Sequence, residues 1–201
     1  PQTASSLVTF ENPMGIDGFE FVEYAAPAGQ AQALHDYFRK LGFVQVARHK
    51  TRPISTYRQG DCTFLINEDP DSFAARFAAE HGPSACGFAI RFSKLAEWVR
   101  VQALKNGAES FDAHDELSKA VAAPVIKGIG GCMLYLASDG QDVYAQDFEF
   151  LPGAEHRPAG FGLSFIDHLT HNLYFGNMAK WAGYYERLFG FREIRYFDIK
   201  G

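Results

Sequence analysis

The chain is poor in cysteine, has no concentrated positive charge and has no long apolar run. Cys62, Cys86 and Cys132 stand far apart in 201 residues, and no CxxC pair occurs. An odd, scattered set excludes a disulfide framework or a zinc ribbon. It reads instead as three small buried hydrophobes in a reducing cytoplasm. Lys and Arg total 19 against 24 Asp and Glu, for a net charge of −5. The densest basic stretch, Arg48-His49-Lys50-Thr51-Arg52, reads as a strand end entering a turn. A nucleic-acid partner needs a concentrated basic face and is not expected. No stretch approaches the ~20 apolar residues of a membrane span, so no membrane partner is expected. Pro1 to Ser6 has neither the basic start nor the apolar body of a secretory leader. GxSxG, HExxH and phosphate-loop signatures are missing as well. Lys127-Gly-Ile-Gly-Gly131 is glycine-rich, but its spacing is that of a turn.

What is present is a globular composition, 47% hydrophobic and 21% charged, with 19 Phe. A chain of this length buries roughly 70% of its unfolded surface. At about 150 residues per domain it holds between one and two domains.

Period-two alternation predicts a strand from Gly18 to Tyr24. Leu34, Tyr37, Phe38 and Leu41 recur at helical spacing, with Gly42 as the stop. Phe43 to Ala47 is a strand, and Ile54–Arg58 with Cys62–Ile66 forms a hairpin around Gly60. Asp71 or Ser72 caps a short helix carrying Phe73 and Phe77, which ends at His81-Gly82-Pro83. A strand from Ala85 to Phe92 and a helix through Leu95, Trp98, Val99 and Ala103 follow. Strands are predicted at Val121–Ile126, Cys132–Ala137 and Val143–Leu151. Pro152 to Gly160 reads as a linker. A strand from Leu163 to Asn172, a helix with Met178, Trp181, Tyr185 and Phe189, and a strand from Phe191 to Ile199 complete the pattern.

The order of elements repeats. Phe19-Glu-Phe-Val-Glu-Tyr24 overlays Leu163-Ser-Phe-Ile-Asp-His168, and Leu41-Gly42-Phe43 overlays Phe189-Gly190-Phe191. A fainter copy opens at Ala85. The fold class is therefore α+β, built of a reused strand–helix–strands block. The last copy carries one helix and two strands, so its apolar helix face is expected to be covered by further chain or by a partner.

Ile166-Asp167-His168-Leu169-Thr170-His171-Asn172 is the segment richest in chemistry. On a strand, Ile166, His168 and Thr170 share one face, and Asp167 and His171 share the other. The two histidines are then not expected to hold one metal together, whereas a helical segment would bring them together. In the overlay, Tyr24 occupies the place of His168.

Glu11-Asn-Pro-Met-Gly15, Gly18-Phe-Glu-Phe21, Tyr57-Arg-Gln-Gly60, Ala78-Ala-Glu-His-Gly-Pro83, Ile126-Lys-Gly-Ile-Gly-Gly131, Ile166-Asp-His-Leu-Thr-His-Asn172 and Arg195-Tyr-Phe-Asp-Ile-Lys-Gly201 resemble the bacterial 4-hydroxyphenylpyruvate dioxygenases. The likeness spans nearly the whole chain. It implies repeated βαβββ modules of the vicinal oxygen chelate type. Four parts follow from it: an N-terminal arm over 1–17, a non-catalytic module pair over 18–151, a linker over 152–161 and the start of an iron-binding domain over 162–201. By the same resemblance His168 is an Fe(II) ligand. Thr170 is a candidate substrate-pocket residue, and no catalytic residue is expected beyond the metal site.

The implied activity is Fe(II)- and O2-dependent oxidative decarboxylation and ring hydroxylation of an aromatic 2-oxo acid, giving homogentisate in tyrosine catabolism. The family's second histidine and its glutamate come from later in its sequence, so this chain alone is expected to be inactive. The resemblance further implies a cytoplasmic homo-oligomer. Hydroxymandelate synthase of the same family, and a metal-free binding or assembly module, are the alternative readings.

Overall fold

The computed structural model describes residues 11–27 and 29–198. The first module runs β1 (Ile16–Ala25), α1 (Ala31–Lys40), β2 (Val44–His49), β3 (Ile54–Gln59) and β4 (Cys62–Asn67). A short helix, α2 (Phe73–His81), leads to the second module: β5 (Ser84–Phe92), α3 (Ala96–Lys105), α4 (Ala113–Leu117), β6 (Val125–Lys127), β7 (Met133–Ser138) and β8 (Phe148–Phe150). One further helix, α5 (Met178–Phe189), follows. The eight strands of the described residues form one sheet in the order β6-β7-β5-β1-β4-β3-β2-β8. Each module opens with a strand that pairs in parallel with a later strand of its own, β1 with β4 and β5 with β7. The two modules meet where β1 runs antiparallel to β5.

The period-two pattern of β1 places Phe21 and Val22 in different cores. Phe21 joins Leu65, Ala89, Met133 and Tyr135 on one face, covered by Phe73, Ala74 and Ala78 of α2. Val22 joins Phe88, Ile90, Leu134 and Leu136 on the other, covered by Val99 and Ala103 of α3 and by Leu188 and Phe189 of α5. Phe38 of α1 packs on Phe43, Tyr57 and Ile66 in a third cluster. Burial of Leu188 and Phe189 contributes about 1.5–3 kcal/mol each and docks α5 on this body. Of the two capping candidates for α2, Ser72 does the work, its Oγ accepting from the Ala75 N–H at 3.2 Å.

The structure corrects four predicted strands. The strand expected over Val121–Ile126 is confined to Val125–Lys127. Pro124 has no N–H to give a ladder, and the Ala123 N–H turns back to Val121 O. The strand expected over Val143–Leu151 is confined to Phe148–Phe150, because Asp142 Oδ1 accepts from the Tyr144 N–H and starts a turn. Neither Leu163–Asn172 nor residues 191–198 form strands; both segments alternate in sequence but have no ladder partner among the described residues. Ile199 and residues 1–10 lie outside the described residues. The strand expected from Gly18 already begins at Ile16. Ahead of it, Asn12 bonds Ile16 at both its N–H and its carbonyl, and Met14 is buried.

Candidate metal-donor segment

Residues 152–162 do not swing free. The Gly60 N–H donates to Pro158 O, and the Phe161 N–H donates to Gln59 Oε1 at 2.9 Å. Past this, the Asp61 N–H donates to Ser164 O at 2.7 Å, so the β3–β4 turn grips the start of the candidate segment. Gly60 sits at φ +55°, and a Cβ there would stand 2.6 Å from Leu163 O. The close approach and the left-handed backbone both require glycine.

From that grip the segment runs over the sheet face that carries Val22 and Phe88. Ile166 and Leu169 pack against the core, and the His171 ring lies 5.5 Å from the Phe88 ring. His171 Nε2 lies 3.1 Å from the Tyr185 hydroxyl of α5. Burial lowers the His171 pKa and raises that of the Tyr185 phenol. A neutral ring and a protonated phenol thus share this hydrogen bond, its direction set by the imidazole tautomer.

His168 and Thr170 are exposed. The expected grouping of Ile166 with His168 and Thr170 on one face is thus corrected: Ile166, Leu169 and His171 turn inward, and His168 and Thr170 do not. Without a ladder, the backbone is free to depart from strict alternation. His168 Nδ1 lies 2.7 Å from Asp167 Oδ2, with 74% of the imidazole side chain exposed. As an ion pair this contributes little at such exposure. As geometry it matters, because a carboxylate on Nδ1–H leaves the Nε2 lone pair free for a metal.

His168, Thr170 and His171 all line one cavity of about 670 Å3, together with Tyr24, Phe77 and His81. Its size and largely apolar wall are those of a small-molecule site.

The structure also shifts the repeat register. Tyr24 meets Phe38 of α1 with ring centroids 5.1 Å apart, and His171 meets Tyr185 of α5 at 6.0 Å, each ring touching the helix of its own copy. Tyr24 thus corresponds to His171, and Phe21 to His168. The spacing agrees: Gly42 lies twenty-one residues after Phe21, and Gly190 twenty-two after His168. The N-terminal copy therefore has a fully buried phenyl ring where the later copy has its imidazole.

A second polar cluster went unmarked by the sequence. Glu23 is buried and accepts from the Tyr135 hydroxyl at 2.6 Å and from Asn67 Nδ2 at 2.9 Å. Desolvation raises its pKa, outweighing those two hydrogen bonds, which favour the anion. The alternation of β1 puts Glu23 on the Phe21 side, but only the pairing with β4 and the approach of β7 show it enclosed.

An Fe(II) site of the type implied above takes two imidazoles and a carboxylate. His168, with Asp167 on Nδ1, fits one such donor position. Among the described residues no group of three His, Cys, Asp or Glu could hold a metal. The three cysteines are buried and unpaired. No helix among the described residues is long and apolar enough to cross a membrane.

Paired βαβββ modules in one mixed sheet define the vicinal oxygen chelate class of α+β fold. Residues 10–149 match the model of the hydroxyphenylpyruvate dioxygenase N-terminal domain, and the chain belongs to that family. It is 48% identical over 196 residues to the 4-hydroxyphenylpyruvate dioxygenase of Pseudomonas sp. (strain P.J. 874), covering 96% of this chain and 54% of the relative. Among solved structures, a xylose isomerase-like TIM barrel/4-hydroxyphenylpyruvate dioxygenase fusion protein matches with a TM-score of 0.79 and 29% identity over 94% of this chain and 30% of its own. A triple mutant of 4-hydroxymandelate synthase from Streptomyces coelicolor shares the fold, with a TM-score of 0.68 and 22% identity over 87% of this chain and 52% of its own. The chain spans about half the length of the curated relatives it matches.

Proposed function

We propose that this chain works as part of a longer 4-hydroxyphenylpyruvate dioxygenase. In this reading, residues 18–151 form a non-catalytic body, 152–161 a pinned connection and 162–201 the start of the iron-binding domain. The observation that carries the proposal is His168: an exposed imidazole, oriented by Asp167 and set on a segment anchored at Ile166, Leu169 and His171. The other iron donors come from outside this chain. A bound Fe(II) supplies O2-dependent oxidation of a chelating aromatic 2-oxo acid. His168 Nε2 holds the metal, Asp167 keeps the Nδ1 proton, and Thr170 lines the pocket. Three buried, unpaired cysteines support a reducing cytoplasm. Exposed Leu95, Trp98 and Val101 along α3 support assembly into a homo-oligomer.

The test is turnover of 4-hydroxyphenylpyruvate with added Fe(II). The 201-residue chain is expected to give none. A version extended to the relatives' full length is expected to make homogentisate and to lose that activity with His168→Ala. Sustained oxygen uptake by the short chain, or full activity of the His168→Ala variant, would overturn the proposal. Formation of hydroxymandelate would select the alternative enzyme.

A further inference from the structure

We infer that His171 is a positioning residue: through Tyr185 and Phe88 it fixes the segment that presents His168. The N-terminal sheet thereby sets the place of a metal donor although it supplies no ligand itself. The inference rests on the reading of His168 as an iron ligand.

Beyond the Asp61–Ser164 backbone bond at its start, three side chains hold this segment down. Ile166 and Leu169 are apolar and flank His168. Such contacts resist lifting, but they are non-directional and tolerate sliding along the sheet. His171 adds a directional contact. Its ring packs against Phe88 of β5, and its Nε2 hydrogen-bonds the Tyr185 hydroxyl at 3.1 Å. Tyr185 is in turn stacked on Phe191, at 5.2 Å and 19° between planes. The hydrogen bond therefore ends on a ring that is itself held, and α5 is docked by buried Leu188 and Phe189.

The backbone bond from the Asp61 N–H to Ser164 O fixes the start of residues 163–172, and with no ladder beyond it the His171–Tyr185 contact is the directional restraint on the far side of His168. Three residues away, a slip of about 1 Å would displace His168 from its metal geometry.

The assay is Fe(II) affinity of the extended protein, titrated without substrate or oxygen, on variants shown to be folded by circular dichroism. His171→Phe keeps a ring against Phe88 and removes the nitrogen that bonds Tyr185. Tyr185→Phe removes a single hydroxyl, and carries the test if His171→Phe fails to fold. Each is expected to weaken iron binding roughly ten- to a hundredfold, the range for groups that orient metal ligands. The double variant should be no worse than either single one. His171→Gln, which can still bond the phenol, should recover most of the affinity. Wild-type iron affinity in both His171→Phe and Tyr185→Phe, with affinity lost in His168→Ala, overturns the positioning role and leaves the iron reading intact. Retained affinity in His168→Ala overturns the iron reading, and the positioning role with it.

Discussion

At the residue scale the buried Glu23 carboxyl sets a pH dependence. Tyr135 and Asn67 both donate to it, yet desolvation is the larger effect and its folded pKa lies above the ordinary glutamate value. The folded state therefore keeps a proton that the unfolded chain releases. Stability from this group is full below the ordinary glutamate pKa and is lost as pH rises through the folded one. Glu23→Gln is expected to flatten that slope, as read by urea melts across the range. Tyr135→Phe removes a donor to Glu23 and also leaves the Ala120 N–H, which the Tyr135 oxygen accepts at 3.0 Å, without that partner. It is expected to cost about 1–3 kcal/mol, measured as a shift in denaturation midpoint. Sequence marks Glu23 as a polar position in an alternating strand and no more. Its enclosure depends on β4 and β7, which are remote in the chain.

At the element scale, helices α1, α2, α3 and α5 and strands β1 to β5 and β7 were legible because each has a local signature, whereas the short helix α4 was not read at all and β6 and β8 were read too long. The stripe of Phe38 with Leu34 and Tyr37, the cap at Ser72 and the stop at Gly190 all follow from side-chain spacing or backbone freedom. The segment over 163–172 was not legible as a segment without a ladder. Its residue types alternate as a strand's do, but a strand also needs partner carbonyls and amides, and sequence does not show who supplies them. The proposed donor, His168, stands out in the sequence because Asp167 precedes it in the motif. Its orientation, and its link through His171 to Tyr185, became visible only when α5 was docked. Gly60 tests how that segment is held. Gly60→Ala combines a left-handed backbone with a close approach to Leu163 O, and is expected to destabilise by about 1 kcal/mol or more. Limited proteolysis should then show faster cleavage within 163–172 than in wild type, with strands β1 and β5 unaffected.

At the scale of the whole molecule, apolar surface is distributed unevenly. Over the two-module body, exposed large apolar side chains such as Tyr37, Leu95 and Leu117 are scattered along the chain. Phe165, Tyr174, Phe175, Ile194 and Phe197, all beyond it, are exposed, Phe175 fully so. Monomeric proteins rarely leave so many large apolar groups in water, because each forfeits stabilisation that burial would supply. In the proposed longer enzyme this surface becomes interior to the iron-binding domain. Binding of a hydrophobic dye should therefore be strong for the 201-residue chain and weak for the extended protein. Fe(II) adds an independent reading, since a ligand stabilises a fold only in proportion to its affinity for that fold. One imidazole with an exposed carboxylate partner binds weakly, so saturating Fe(II) should leave the melting temperature of the short chain unchanged. The extended protein should melt higher with Fe(II), and a chelator should reverse the gain. A large iron-dependent rise in the short chain would mean that donors within these 201 residues complete the site, and the division between body and iron-binding domain would have to be redrawn.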